Sequence, residues 1–158
     1  MSYRYVNRVP RPWVLLYWTL LILLTTVVPL ALSALAKVFL WTIPTLLFGS
    51  LAIGIFGTLT TTVAKGEVVT AFGWGLPSRR ISLVDVTSQR VTTHRALYGS
   101  GIRLVPGGIL WRVWGRDSVE LTLAEKGRTF SIGTADPEGL LAAVVTALRR
   151  DYTDEQID

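Results

Sequence analysis

Residues 13–36 read WVLLYWTLLILLTTVVPLALSALA and residues 38–64 read VFLWTIPTLLFGSLAIGIFGTLTTTVA, with Lys37 the single charge between them. These charge-free stretches run 24 and 27 residues, and a helix needs roughly 20 apolar residues to cross the hydrocarbon core of a bilayer. One continuous helix from Trp13 to Ala64 would be about 78 Å long against a core of about 30 Å. The chain is therefore expected to fold back around Ser33 to Lys37. Residues 13–58 are predicted to form a two-helix transmembrane hairpin.

Charges and rings at the ends extend this expectation. Arg4, Arg8 and Arg11 precede the first stretch, and Lys65, Arg79 and Arg80 follow the second. Lys and Arg near helix ends bias those ends toward the cytoplasm. This predicts an integral protein of the cytoplasmic membrane, both termini inside, with residues 1–12 as a basic cytoplasmic arm. Trp13, Tyr17, Trp18 and Trp41 carry amphipathic rings at interfacial depths, and with Lys37 they are the expected anchors. Thr25, Thr26, Pro29 and Pro44 are expected to mark kinks, because neighbouring groups can re-satisfy the backbone there. The alternative is a cleaved signal peptide ending at Ala34-Leu35-Ala36, although its apolar part would exceed the usual length of roughly 7–15 residues.

Half of the residues are apolar, which the two stretches largely explain. The 94 residues after Ala64 suffice for one modest core and not for two. No cysteine is present, so disulfides and thiolate metal sites are excluded. The net charge of +5 hides an asymmetry. Seven arginines (Arg79, Arg80, Arg90, Arg95, Arg103, Arg112, Arg116) stand against Asp85 alone, whereas nine acids and four bases follow from Asp117 onward. A basic stripe held beside a bilayer would meet anionic headgroups, each Lys or Arg contributing about 1 kcal/mol. Alternatively, these arginines are solvated or paired with the acidic end.

After Leu59 the pattern changes to short β-branched runs broken by glycine. Leu59–Ala64 and Glu67–Phe72 flank Lys65-Gly66 as a hairpin. Further extended runs are Arg79–Leu83, Val86–Thr93, Ile102–Val105, Ile109–Trp114, Ser118–Leu123 and Arg128–Ile132. Val119, Leu121 and Leu123 alternate with Glu120 and Thr122. About seven short strands predict a small antiparallel barrel or sandwich. A C-terminal helix follows: Asp136 suits the cap, Pro137 the first helical position and Glu138 the first turn. Leu140, Leu141, Val144, Val145 and Leu148 recur at helical spacing. The β-domain is placed at 59–150, with 151–158 as an acidic flexible tail.

Thr70-Ala71-Phe72-Gly73, Arg80-Ile81-Ser82-Leu83 and Asp85-Val86 resemble the bacterial pleckstrin-homology-like (PH-like) membrane protein family. So do Tyr98-Gly99, Gly101-Ile102-Arg103, Pro106-Gly107-Gly108, Ser118-Val119-Glu120-Leu121 and the run Phe130 to Glu138. The resemblance covers roughly Thr58 to Arg149. It implies an α+β architecture, a membrane hairpin followed by a PH-like barrel closed by one helix. It also implies a binding or assembly module without a catalytic set.

Enzyme signatures are lacking. His94 is the only histidine, which rules out two-histidine metal sites, and no nucleophile-elbow pattern surrounds Ser88 or Ser100. Asp117 and Glu120, three apart, would point to opposite faces of a strand. Gly73-Trp74-Gly75 and Gly99-Ser100-Gly101 lack the rest of a phosphate-binding loop. No metal and no cofactor are expected. Trp111 and Trp114 would face opposite ways on one strand, leaving Trp114 or its mate beside Arg112 and Arg116 as a contact patch; Tyr98 invites the same comparison. The expected function is a non-enzymatic, membrane-anchored module that binds anionic lipid or a protein partner through the seven arginines, not nucleic acid. The alternative is a self-assembling subunit, with Gly49, Gly54 and Gly57 permitting close helix packing.

Overall fold

The computed structural model describes residues 2–31, 35–95 and 98–154, with the side chains of 28–31, 35–41, 126 and 151–154 outside that description. Lys65-Gly66 sets the first hairpin. Both residues have positive φ, +51° and +71°, the backbone hand that matches the twist of paired strands. The turn joins Thr58–Ala64 to Glu67–Phe72 in register from Leu59↔Phe72 to Ala64↔Glu67. Leu59, Val63, Val68 and Phe72 are buried, and Thr58, Thr60 and Thr62 alternate to the other face.

Two further strands complete this sheet. In chain order they are β1 (Tyr3–Arg8), β2 (Thr58–Ala64), β3 (Glu67–Phe72) and β4 (Ser78–Ser82), paired in that order. Residues 3–8, read from sequence as part of a basic arm, are an edge strand. Tyr3, Tyr5 and Asn7 alternate with Arg4, Val6 and Arg8, and the strand runs antiparallel to β2 from Tyr3↔Val63 to Arg8↔Thr58. Buried Asn7 donates its amide to the Trp114 and Gly133 carbonyls, at 3.1 and 3.5 Å, tying this sheet to the next.

Two helices, α1 (Arg11–Ala31) and α2 (Leu35–Phe56), stand between β1 and β2 in the chain. They pack side by side: Gly49 backs onto Tyr17 and Leu21, and the Thr42 hydroxyl donates to the Thr25 carbonyl at 3.2 Å. At their base the Val9 amide donates to the Gly57 carbonyl at 3.1 Å, and Phe56 meets Phe72 at 5.4 Å between ring centroids. The transmembrane expectation is corrected here. Among the described residues no helix is long and apolar enough to cross a membrane. The span, the integral-membrane localisation and the topology with both termini inside are withdrawn with it. The expected turn at Ser33–Lys37, and the anchors Lys37 and Trp41, lie outside the described residues or side chains.

The second sheet contains β5 (Val86–Thr93), β6 (Gly101–Val105), β7 (Gly108–Arg112), β8 (Asp117–Leu123) and β9 (Thr129–Gly133) in the order β5-β8-β9-β7-β6. Its pairs are antiparallel except β7 with β9, which is parallel. The expected antiparallel barrel or sandwich of about seven strands is also corrected: among the described residues nine strands form two open sheets, one pairing is parallel, and none joins β4 to β5 or β1 to β6. The sheets face each other across Phe72, Trp111 and Phe130, whose rings follow one another at 5.2 and 5.5 Å.

Helix α3 (Pro137–Asp154) packs on β1, β2, β5 and β8 through Leu140 and Val144, both fully buried. Asp136 caps it by accepting from the Gly139 amide at 3.0 Å, satisfying one of the orphan donors of the first turn. The helix continues past residue 150 to Asp154, into the stretch read as a tail. Residues 155–158 lie outside the described residues.

Candidate functional site

Sheet register sorts the outer face of the larger sheet into rows. Arg90, Glu120, Ser131, Leu110 and Arg103 stand side by side across all five strands. The neighbouring row is Thr92, Ser118, Gly133, Arg112 and Gly101, Arg112 being placed against Gly133. Its small residues leave a trough that the Arg112 side chain crosses. A Cβ on Gly133 would stand 2.7 Å from Arg112 Cγ, closer than carbon atoms approach, so glycine is required there.

A solvent-facing side of a sheet should be wet, yet Arg112 is only 3% exposed and Leu110 and Ser131 are fully buried. His94, Gly99 and Ser100 lie against the end of the face that holds Arg112. Arg112 donates from Nε and Nη2 to the Gly99 carbonyl at 3.0 and 2.7 Å, and the Ser100 hydroxyl donates to the Val113 carbonyl at 2.7 Å. The His94 amide donates to the Arg116 carbonyl at 2.9 Å, and Tyr98 meets the His94 ring edge-on at 6.1 Å. Arg112 Nη1, His94 Nε2 and Ser131 Oγ are buried with no hydrogen-bond partner.

The electrostatics follow from that burial. Desolvation holds His94 below its usual range; the Glu120 carboxylate opposes the shift and Arg112 reinforces it. Arg112 is lowered by burial first and by Arg116 second. Glu120, 7% exposed, is the only acid on this face among the described residues, and Arg90 already holds it through a 2.6 Å ion pair. Arg95, Arg103 and Arg116 are exposed to solvent, whereas Arg112 is buried.

The seven arginines therefore do not form one stripe. Arg90, Arg103 and Arg112 share the outer face, with exposed Arg95 and Arg116 at one end of it. Arg79 points between the sheets, 4.8 Å over the Phe130 ring. Arg80 lies on the outer face of the smaller sheet, in a row with Val69, Thr62 and Arg4. Trp114 falls beyond the end of β7 and packs against Trp13 at 5.4 Å with the rings tilted by 41°, while Trp111 is the core member of the pair. Tyr17 and Trp18 meet each other edge-on at 5.9 Å, and Trp13 and Tyr17 remain exposed. Sequence reasoning placed Glu120 on the face opposite Val119 and weighed His94 only as a metal ligand or catalytic base, but passed over Ser131 beside Glu120. The alternation of Phe130 and Ile132 around Ser131 was the available signal.

Chemically, the arrangement offers donors. Ser100 gives its hydrogen bond to the Val113 carbonyl and Ser88 to the Thr122 hydroxyl, so neither is activated by His94. No group of three or more metal-ligating side chains stands together among the described residues. The class defined is a two-sheet α+β protein presenting a basic sheet face. No protein-family model matches the chain, and no curated protein matches it.

Proposed function

We propose that the chain is a non-enzymatic recognition module that docks an anionic surface or partner on the outer face of its larger sheet. The observation carrying this is the gathering of five arginines on one face and its rim, against two carboxylates: Glu120, paired with Arg90, and Asp117 at the rim, which accepts from the Thr93 hydroxyl. Arg112 builds the face by holding the Gly99 carbonyl, and Arg95, Arg103 and Arg116 are the exposed cations that meet the partner. Vesicle binding by the full chain tests it, with neutral and anionic lipid compared at low and high salt. Reversing Arg95, Arg103 and Arg116 to Glu is expected to weaken the anionic increment by on the order of a hundredfold, at about 1 kcal/mol per cation. Binding that ignores lipid charge, salt and the reversals would remove the proposal.

A second reading, self-association, is favoured by the apolar side chains that α1 and α2 turn outward. Leu15, Leu47 and Phe48 are 67%, 67% and 70% exposed, and contiguous patches of this kind are covered by partners. The glycines expected to serve such contacts are used internally, Gly49 against α1 and Gly54 against the Trp74 ring. A second copy would therefore meet the leucine-rich faces. A particle mass equal to the 17.4 kDa of one chain would exclude it.

A further inference from the structure

A cavity of about 760 Å³ opens between α3 and the β2–β3 hairpin, within the roughly 300–1,000 Å³ typical of small-molecule sites. It is open because α3 presents Gly139, Ala142, Ala143 and Ala147 there, residues with nothing to fill it. Val63 and the Tyr3 ring form the opposite wall. The Tyr3 hydroxyl donates to Asp136 Oδ2 at 3.1 Å while the Gly139 amide occupies Oδ1, so the nearby carboxylate is engaged and the ring is fixed. Among the described residues no acid lines the cavity, and Lys65 and Arg150 stand on its rim.

Lys65, held in the hairpin turn, keeps an ammonium at the cavity mouth. A basic rim over an alanine-lined interior matches a molecule charged at one end and aliphatic along the rest.

We propose that this cavity binds a single-chain anionic amphiphile, a fatty-acid carboxylate, with its head between Lys65 and Arg150 and its chain along the alanines of α3. The site uses none of the outer-face arginines and stands or falls apart from them. Photo-crosslinking of the full chain with a diazirine-bearing fatty acid tests it, the matching alcohol serving as control. Mass spectrometry then maps the labelled residues. Labelling at 63–66 and 139–150 is expected, reduced about tenfold for the alcohol and for Lys65→Glu, the ratio set by loss of one close charge pair. Arg150→Glu gives the same readout independently if Lys65→Glu disturbs the hairpin, and circular dichroism checks the fold of both. Labelling confined to 11–27 and 42–56, or equal for acid and alcohol, would overturn the proposal.

Discussion

Arg112 and Gly133 make sense only as a pair: the glycine exists so that the arginine can lie across it and reach the Gly99 carbonyl. Arg112→Leu leaves that carbonyl without its charged donor and should cost about 2–3 kcal/mol. Gly133→Ala should cost about 1–3 kcal/mol by overpacking, but less in an Arg112→Gly background, which removes both the Cγ and the Cβ that the new methyl group would meet. Chemical denaturation of the four members of this cycle measures the coupling, and additive costs would mean that the two residues do not share the trough. His94 supplies a pH signature. Its folded pKa lies below the 6.5 of the free side chain, so between the two values the unfolded chain binds more protons. Stability should therefore fall as pH drops from about 6.5 through the folded value, and His94→Gln should flatten that slope. The arginines were countable from sequence. Which of them shared a face was not, because facing depends on the register with strands 20 to 30 residues away.

At the scale of elements, local signals were the legible ones. Lys65-Gly66 stood between two runs of alternating residues, and Asp136-Pro137-Glu138 announced a helix start by side-chain chemistry alone. Asp136→Ala should cost about 0.5–2 kcal/mol through the lost cap, and it also releases the Tyr3 hydroxyl. Asp136→Asn should recover most of the loss, since its side-chain oxygen still accepts from the Gly139 amide. Thermal unfolding of both variants checks this, and equal losses would shift the weight from the cap to the carboxylate charge. The strand at Tyr3–Arg8 was not legible for a physical reason. Its arginines face outward and resemble a solvated arm, while its partner β2 lies some fifty residues on, a separation that no periodicity reports. The parallel pairing of β7 with β9 was hidden in the same way, because β8 stands between them in the chain.

For the whole molecule, hydropathy dominated the sequence and drew the architecture toward a membrane span and a separate barrel. What holds the assembly together is polar and aromatic detail: the Asn7 amide between sheets and the Phe72–Trp111–Phe130 series. Arg8 and Thr58 sit opposite each other in register, although helices α1 and α2 stand between them in the chain. Covalently, then, the helical pair is an insert in a β-hairpin, and the hairpin could be closed without it. Cutting out residues 9–57 and bridging Arg8 to Thr58 with a short glycine-containing turn should yield a detachable mini-protein that unfolds cooperatively. It would sacrifice the Trp13 and Phe56 contacts and leave Trp114 and Trp74 uncovered. If that excised version fails to fold while the intact chain succeeds, the helices are a structural keystone instead of cargo.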